Sequence, residues 1–201
     1  MVCQSKYFGI AVWISNKDKG VIHGDIKPQN VLVFKDTTGK TVVKVTDFGY
    51  STLVAGETLA TSEPLAVGQL PAPGQAGRVF LPKSRPWNAP EHHYGEFTVA
   101  EAQKTDVYSF GLLCIWVLFG KLLQNTTEYT FDASNGPLTS LEQLKHDDKM
   151  EQIANQWMES VPLNAEQRTR LKEFFSLAVP RNPEKRTFDV EKLVGLLGQE
   201  K

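Results

Sequence analysis

The segment His23-Gly24-Asp25-Ile26-Lys27-Pro28-Gln29-Asn30 constrains this chain more than any other feature. Its carboxylate, ammonium group and amide lie within six residues of one another. Two short apolar runs, Val21-Ile22 and Val31–Phe34, flank the segment and are rich in β-branched residues, which is typical of strands. The sequence therefore predicts a polar loop whose charged side chains stand where a strand meets the loop.

The rest of the chain predicts a mostly α fold with a small β portion in front of a helical body. Residues 36–40 have turn composition and residues 41–46 a strand pattern, so residues 31–46 predict a β-hairpin. Residues 1–19 predict the end of a helix and a polar turn, and residues 50–88 a long loop. Apolar residues at helical spacing then predict five helical segments. They are Asp106–Phe119, Leu141 with Leu144, Met150 to Trp157, Leu171 to Ala178, and Val190 to Leu197 with Thr187 as N-cap.

Composition argues against several partners. With 41% hydrophobic and 22% charged residues, the 201-residue chain has the composition of a globular protein. A net charge of −1 provides no basic excess for nucleic acid. The apolar run Phe110–Phe119 is too short to span a membrane, so a buried core helix and no membrane partner are expected. Cys3 and Cys114 cannot form a disulfide framework, which indicates a reducing, cytoplasmic or nuclear compartment.

Four further motifs follow the first along the chain. They are Asp47-Phe48-Gly49, Ala89-Pro90-Glu91, Asp106–Gly111 and Asn182–Arg186. Each alone has an ordinary interpretation, such as a turn, a helix start, an N-cap or a surface charge. Together, and in this order, the five motifs resemble the C-terminal lobe of a eukaryotic protein kinase of the serine/threonine type. The resemblance covers about residues 7–198.

Phosphoryl transfer needs the chemistry that these motifs contain. One carboxylate must accept the proton of the substrate hydroxyl, and another must hold the Mg²⁺ that bridges the nucleotide phosphates. The resemblance implies that Asp25 is the catalytic base and Lys27 the contact of the γ-phosphate. Asn30 is then a metal ligand, Asp47 the principal metal ligand, and Leu32 the residue beneath the adenine ring. ATP and Mg²⁺ are the implied cofactors, and a protein Ser or Thr hydroxyl is the implied acceptor.

The resemblance also implies structural roles for seven residues: His23, Phe48, Gly49, Ser84, Glu91, Asp106 and Arg186. His23 and Phe48 resemble the packing that joins the catalytic loop to the Asp-Phe-Gly turn, and Gly49 belongs to the start of the activation segment. Ser84 lies where the serine/threonine class has a Thr that contacts the catalytic Asp and Lys. Glu91 and Arg186 resemble a buried ion pair that ties the activation segment to the helical body. Asp106 resembles the acid that opens the central helix and braces the backbone of the catalytic loop.

The chain departs from the kinase pattern in three places. No Gly-x-Gly-x-x-Gly occurs and no strand Lys precedes residue 23, so we expect a partial kinase domain over residues 1–201. Its parts are the catalytic loop 23–30, the activation segment 47–91 and the helical body 92–198, with the N-terminal lobe absent or supplied by a longer or separate chain. Gly24 replaces an Arg that many kinases pair with a phosphorylated activation segment, so activation is expected not to require that phosphorylation. Finally, 39 residues separate Gly49 from Ala89, which makes the activation segment long.

Three hypotheses for function follow. The leading one is transfer of the ATP γ-phosphate to Ser or Thr hydroxyls of proteins, weak in this chain by itself. A pseudokinase-like interaction module is the alternative, although the intact Asp25, Lys27, Asn30 and Asp47 argue against catalytic decay. A small-molecule kinase of the same fold is disfavoured, because the motif at residues 89–91 organises a platform for protein substrates in the family.

Overall fold

The computed structural model describes residues 20–39, 41–54, 79–94, 97–123 and 140–198. Within these ranges, two small antiparallel sheets precede a body of five α-helices. The helix end predicted before residue 20 and much of the predicted loop 50–88 lie outside the described residues. The expected arrangement, a small β portion followed by helices, is confirmed in the part that the structure describes.

Each sheet contains two strands. The strands are β1 (Gly20–Ile22), β2 (Val31–Lys35), β3 (Thr41–Val45) and β4 (Thr52–Val54). β1 pairs with β4, and β2 pairs with β3 in the predicted hairpin. The sequence predicts loop where the structure has β4. A three-residue strand is too short to show the alternation of apolar and polar residues that indicates a strand.

One part of the β2–β3 hairpin packs against the helical core, and another part is exposed. Val31 pairs with Val45, and Val33 with Val43. Val43 is buried, and Val31 and Val45 pack against the helical core. Farther along β2, residues 32–34 are exposed, which leaves an apolar surface on this hairpin.

The helical body consists of α1 (Val99–Leu123), α2 (Ser140–His146), α3 (Met150–Met158), α4 (Ala165–Ala178) and α5 (Val190–Leu197). Among the described residues, three short 3₁₀ segments begin with proline, at Pro28–Asn30, Pro90–Tyr94 and Pro183–Lys185. Proline suits a first helical position because its φ is fixed and its missing N–H is not needed there. All three begin within motifs identified in the sequence, at residues 23–30, 89–91 and 182–186.

Helix α1 forms the centre of the core. Phe110 and Phe119 are fully buried and contact the paired aromatic rings Phe174 and Phe175 of α4. By length and composition α1 is apolar enough to cross a membrane, but 67% of its most apolar window is buried inside the protein. The predicted buried core helix is therefore confirmed.

The predicted start of this helix is wrong. α1 begins at Val99, so Asp106 lies inside the helix and does not open it. A capping box explains the earlier start: the Thr98 backbone N–H donates to Glu101 at 2.7 Å, and the Glu101 N–H donates to the Thr98 hydroxyl at 3.3 Å. These reciprocal bonds satisfy free N–H groups of the first turn, and the Thr-x-x-Glu pattern is visible in the sequence.

The predicted cap of the last helix is also wrong. Asp189 caps α5, since its Oδ1 accepts a hydrogen bond from the Lys192 N–H at 3.0 Å. The hydroxyl of Thr187 instead accepts from the Asp189 N–H at 3.0 Å. Two candidate caps two residues apart cannot be separated by composition alone, because both side chains suit the position.

Candidate active site

The catalytic loop folds its polar side chains around Asp25. The Lys27 ammonium donates to Asp25 Oδ2 at 2.7 Å, and the Asn30 amide donates to the same oxygen at 3.1 Å and to the Asp25 carbonyl at 2.9 Å. The 3₁₀ turn of residues 28–30 brings Asn30 back to this position. Asp25 is buried, and its other oxygen, Oδ1, has no hydrogen-bond partner in the described structure.

Asp106 binds the backbone at the start of the loop. Its Oδ2 accepts from the His23 N–H at 2.6 Å and its Oδ1 from the Gly24 N–H at 2.9 Å. Burial raises the pKa of Asp106 to about 7, although the two N–H bonds favour the charged form. Asp106 therefore lies inside α1 and binds the backbone of the catalytic loop from there.

Gly24 has a steric reason to be glycine. Its φ is +79°, in the left-handed region, and a Cβ at this position would lie 2.9 Å from Leu81 Cδ2 and 3.4 Å from the Tyr50 carbonyl oxygen. A side chain here would be strained by the left-handed backbone and would have to displace the tip of the Leu81 side chain, because both ends of the predicted activation segment lie beside the position.

His23 connects the catalytic loop to the Asp-Phe-Gly turn. Its Nε2 lies 3.0 Å from the Thr46 carbonyl oxygen, its Nδ1 accepts from the Asp25 N–H at 3.2 Å, and its ring centroid lies 5.3 Å from that of Phe48. This pattern fits a neutral ring protonated at Nε2. Burial lowers the pKa of His23, while the hydrogen bond with the Thr46 carbonyl and the charges of Asp25 and Asp47 act in the opposite direction.

Asp47 differs from Asp25 in its surroundings. It is exposed, its φ is +65°, and its Oδ1 accepts only a long bond of 3.4 Å from the Gly49 N–H among the bonds described for it. Asp tolerates left-handed backbone better than most residues, which suits it to this turn. Phe48 is also partly exposed, at 46%.

Ser84 connects the turn of residues 84–88 to the catalytic loop. Its hydroxyl accepts from the Lys27 ammonium at 3.2 Å. Its carbonyl accepts from the Trp87 and Asn88 N–H groups at 2.8 and 3.2 Å, which closes a tight turn over residues 84–88. Lys27 thus contacts both Asp25 and this turn.

Glu91 and Arg186 form a bidentate ion pair in which the guanidinium is fully buried and the carboxylate partly buried. The two contacts are 2.5 Å for Nη1 and 2.9 Å for Nη2. The guanidinium also donates to the backbone carbonyls of Pro180, Arg181 and Lys104, and it stacks over the Tyr108 ring at 4.5 Å. All parts of the guanidinium are therefore satisfied, which a buried charge requires.

Comparison with known proteins agrees with this geometry. Residues 16–193 match the protein kinase domain family, which is most of the chain. This chain belongs to the protein kinase domain family. Among its relatives are a serine/threonine-protein kinase of Myxococcus xanthus, 36% identical over 107 residues, and the serine/threonine-protein kinase TOUSLED of Arabidopsis thaliana, 36% identical over 110 residues. A third is a protein of Arabidopsis thaliana named a probable inactive receptor kinase, 32% identical over 126 residues.

These alignments cover only part of each protein. They span 52%, 55% and 63% of this kinase, in the same order. They span 11%, 14% and 16% of the relatives. The kinase therefore corresponds to a small part of each relative's length, and the relatives' names describe those whole proteins.

Two side chains of the site, Asp47 and Asn30, could contribute oxygen ligands to Mg²⁺. The carboxylate of Asp47 is exposed. Asn30 uses its amide nitrogen for the two bonds to Asp25, so its amide oxygen takes no part in them. Within the described ranges, no group of three His, Cys, Asp or Glu residues could hold a metal ion by itself. Oxygen donors from one or two protein side chains fit Mg²⁺, which usually takes its remaining ligands from phosphates and water.

The sequence indicates one of two further residues near the site, Leu32, and does not indicate the other, Lys145. Leu32 lies on β2 with 52% of its surface exposed, in the exposed apolar row of the hairpin. Lys145 of α2 was not indicated at all, yet its ammonium donates to the Pro86 carbonyl at 2.9 Å inside the 84–88 turn. Its ion-pair partner is Glu142, three residues earlier. In a sequence, this spacing is typical of a pair on an exposed helix surface, so the sequence does not indicate that the pair is buried.

Proposed function

We propose that this kinase domain transfers the γ-phosphate of ATP to Ser or Thr hydroxyls of protein substrates, with Asp25 as the base. Lys27 contacts the transferred phosphate, while Asn30 and Asp47 hold Mg²⁺. Leu32 lies beneath the adenine ring. The proposal includes an N-terminal lobe, supplied by the full-length chain or by another chain, as the partner in nucleotide binding, since residues 1–201 contain no glycine-rich phosphate loop.

The asymmetry of the Asp25 carboxylate carries this proposal. Oδ2 is held by Lys27 and Asn30, whereas the buried Oδ1 has no partner. An unpaired buried acceptor costs about 1–3 kcal/mol, so it is expected where a ligand supplies the donor. A substrate hydroxyl is such a donor, and its proton would pass to Oδ1 as the oxygen bonds to the γ-phosphorus and the bond from that phosphorus to the leaving oxygen of ADP breaks.

Charge placement around Asp25 supports phosphoryl transfer over other acid–base chemistry. The Lys27 ammonium bonds both Asp25 and Ser84, so a cation lies between the base and the turn proposed to face the substrate. A fixed cation stabilises the charge on a transferred phosphoryl group. When bound, Mg²⁺ would bridge the nucleotide phosphates and neutralise part of that charge.

The acceptor class is proposed from the same contact. Lys27 two residues after Asp25, in contact with a hydroxyl side chain at residue 84, fits the serine/threonine pattern of the resemblance. Two of the relatives named above are also called serine/threonine-protein kinases. The intact Glu91–Arg186 pair supports a protein substrate, because it stabilises the platform that follows the turn.

The test is incubation of the full chain with γ-labelled ATP, Mg²⁺ and a basic protein, followed by phosphoamino acid analysis. We expect slow labelling of Ser and Thr that falls at least a hundredfold in Asp25→Asn, the range typical of a lost general base. Asp36→Asn, the same change in the β2–β3 turn, is the matched control and should keep full activity. A folded chain that binds Mg²⁺ and ATP without labelling any acceptor would favour the interaction-module alternative.

A further inference from the structure

Lys145 is a buried lysine far from the catalytic loop in sequence. It is 1% exposed, although lysine is among the residues least often buried. Its ammonium donates to Glu142 Oε1 at 2.6 Å and to the Pro86 carbonyl at 2.9 Å. A buried ammonium needs such partners, and here one of them belongs to the turn that contacts Lys27.

The contacts form a continuous chain from α2 to Asp25. The Lys145 ammonium binds the carbonyl of Pro86, and the Ser84 carbonyl of the same turn accepts from two N–H groups. The Ser84 hydroxyl accepts from Lys27, which binds Asp25. Three side-chain contacts therefore separate α2 from the proposed base.

The ion pair is not needed merely to hold α2 in place. Leu141 of the same helix is fully buried in the core and supplies apolar packing. A buried ion pair is often no more stabilising than apolar side chains of similar volume. What Lys145 adds, and an apolar side chain cannot, is the hydrogen bond to the Pro86 carbonyl.

We propose that Lys145 is a positioning residue that holds the turn of residues 84–88 against the catalytic loop and so sets the binding of the protein substrate. This inference rests on the proposed function for its kinetic consequence, but not for its structural one. Loss of the bond should loosen the turn and weaken binding of the protein substrate, while nucleotide binding stays the same.

Hydrogen exchange in the full chain tests the structural part without any activity. In Lys145→Met, we expect the Trp87 and Asn88 amides, which donate to Ser84, to exchange at least tenfold faster. The Thr46 amide, which donates to Asn30, should stay within twofold. Lys149→Met is the matched control, because Lys149 is exposed just beyond α2. Unchanged exchange at Trp87 and Asn88 in folded Lys145→Met would overturn the proposal.

A second variant distinguishes loss of the hydrogen bond to Pro86 from loss of folding. Glu142→Leu combined with Lys145→Met removes both buried charges, and it should fold and show the same faster exchange. If this double variant also unfolds, the pair is structural and the proposal is wrong.

Kinetics test the consequence for the substrate. Lys145→Met should raise KM for the protein substrate about tenfold and leave KM for ATP and kcat within twofold, whereas a loss of folded protein would lower kcat alone. An unchanged protein KM would contradict the positioning role. Faster exchange at residues 87 and 88 together with no transfer by the unmodified chain would support the role in the turn and count against the proposed function.

Discussion

The two carboxylates of the site are supported in opposite ways. Asp25 is 4% exposed and receives hydrogen bonds from two side chains, and Asp106 binds the backbone just before it. Asp47 is exposed, and a single long bond from Gly49 is the one described for its carboxylate. The fold therefore preorganises the proposed base, while the proposed metal ligand is left accessible to what it binds.

The largest effect on stability should come from Asp106, which binds the backbone just before the buried Asp25. Its pKa in the folded state, about 7, is higher than its ordinary value of 3.8. The folded state then binds the extra proton between these values, so the contribution of Asp106 to the free energy of unfolding decreases as pH rises from about 4 to about 7. It stays constant above that range. The total change is at most about 4 kcal/mol.

Asp106→Asn isolates this contribution. The difference in free energy of unfolding between the unmodified chain and the variant, measured by denaturant titration, should fall between pH 4 and 7. His23 has a lowered pKa and changes stability in the opposite direction, but it is present in both proteins and cancels. A difference that is flat across this range would mean that the two N–H bonds keep Asp106 charged throughout.

A smaller effect should come from closing the space over the catalytic loop. Gly24→Ala adds a Cβ at a positive φ and 2.9 Å from Leu81, so it should cost about 2–3 kcal/mol. Gly39→Ala is the control for strain alone, because Gly39 has a φ of +82° with nothing within 4 Å, and it should cost about 1 kcal/mol. Equal losses in the two variants would show that Leu81 moves aside freely.

The smallest effect on stability should come from the accessible carboxylate. Asp47→Asn keeps a residue that tolerates the left-handed backbone, so the free energy of unfolding should change by less than about 0.5 kcal/mol. Mg²⁺-dependent binding of ATP, measured by calorimetry, should weaken at least tenfold. Asp36→Asn should leave that binding unchanged. A large loss of stability in Asp47→Asn would remove the contrast with Asp25.

Local spacing made much of the site predictable. Asp25, Lys27 and Asn30 lie within one loop, where a strand end and a proline turn bring them together whatever the rest of the fold does. The hairpin of residues 31–46 was likewise predictable from its β-branched runs and the turn residues between them. The Thr98–Glu101 capping box was also readable, and missing it led to the wrong start of α1.

Contacts between distant residues were less accessible. Glu91 and Arg186 are 95 residues apart and were paired only through resemblance to the family. The contact of Leu81 with Gly24, and that of Lys145 with Pro86 across 59 residues, had no signal in the sequence. A motif specifies its own residues, but not which distant side chain fills the space beside it.

By itself, the sequence determined the family, the fold class and the cluster of polar residues around Asp25, since short-range spacing and residue chemistry are local properties. Only the tertiary structure decided that Asp25 keeps one oxygen without a partner, that Gly24 is closed over by Leu81, and that a buried lysine reaches the 84–88 turn. Burial decides these features, because desolvation and packing depend on every segment that surrounds a group, and those segments come from distant parts of the chain.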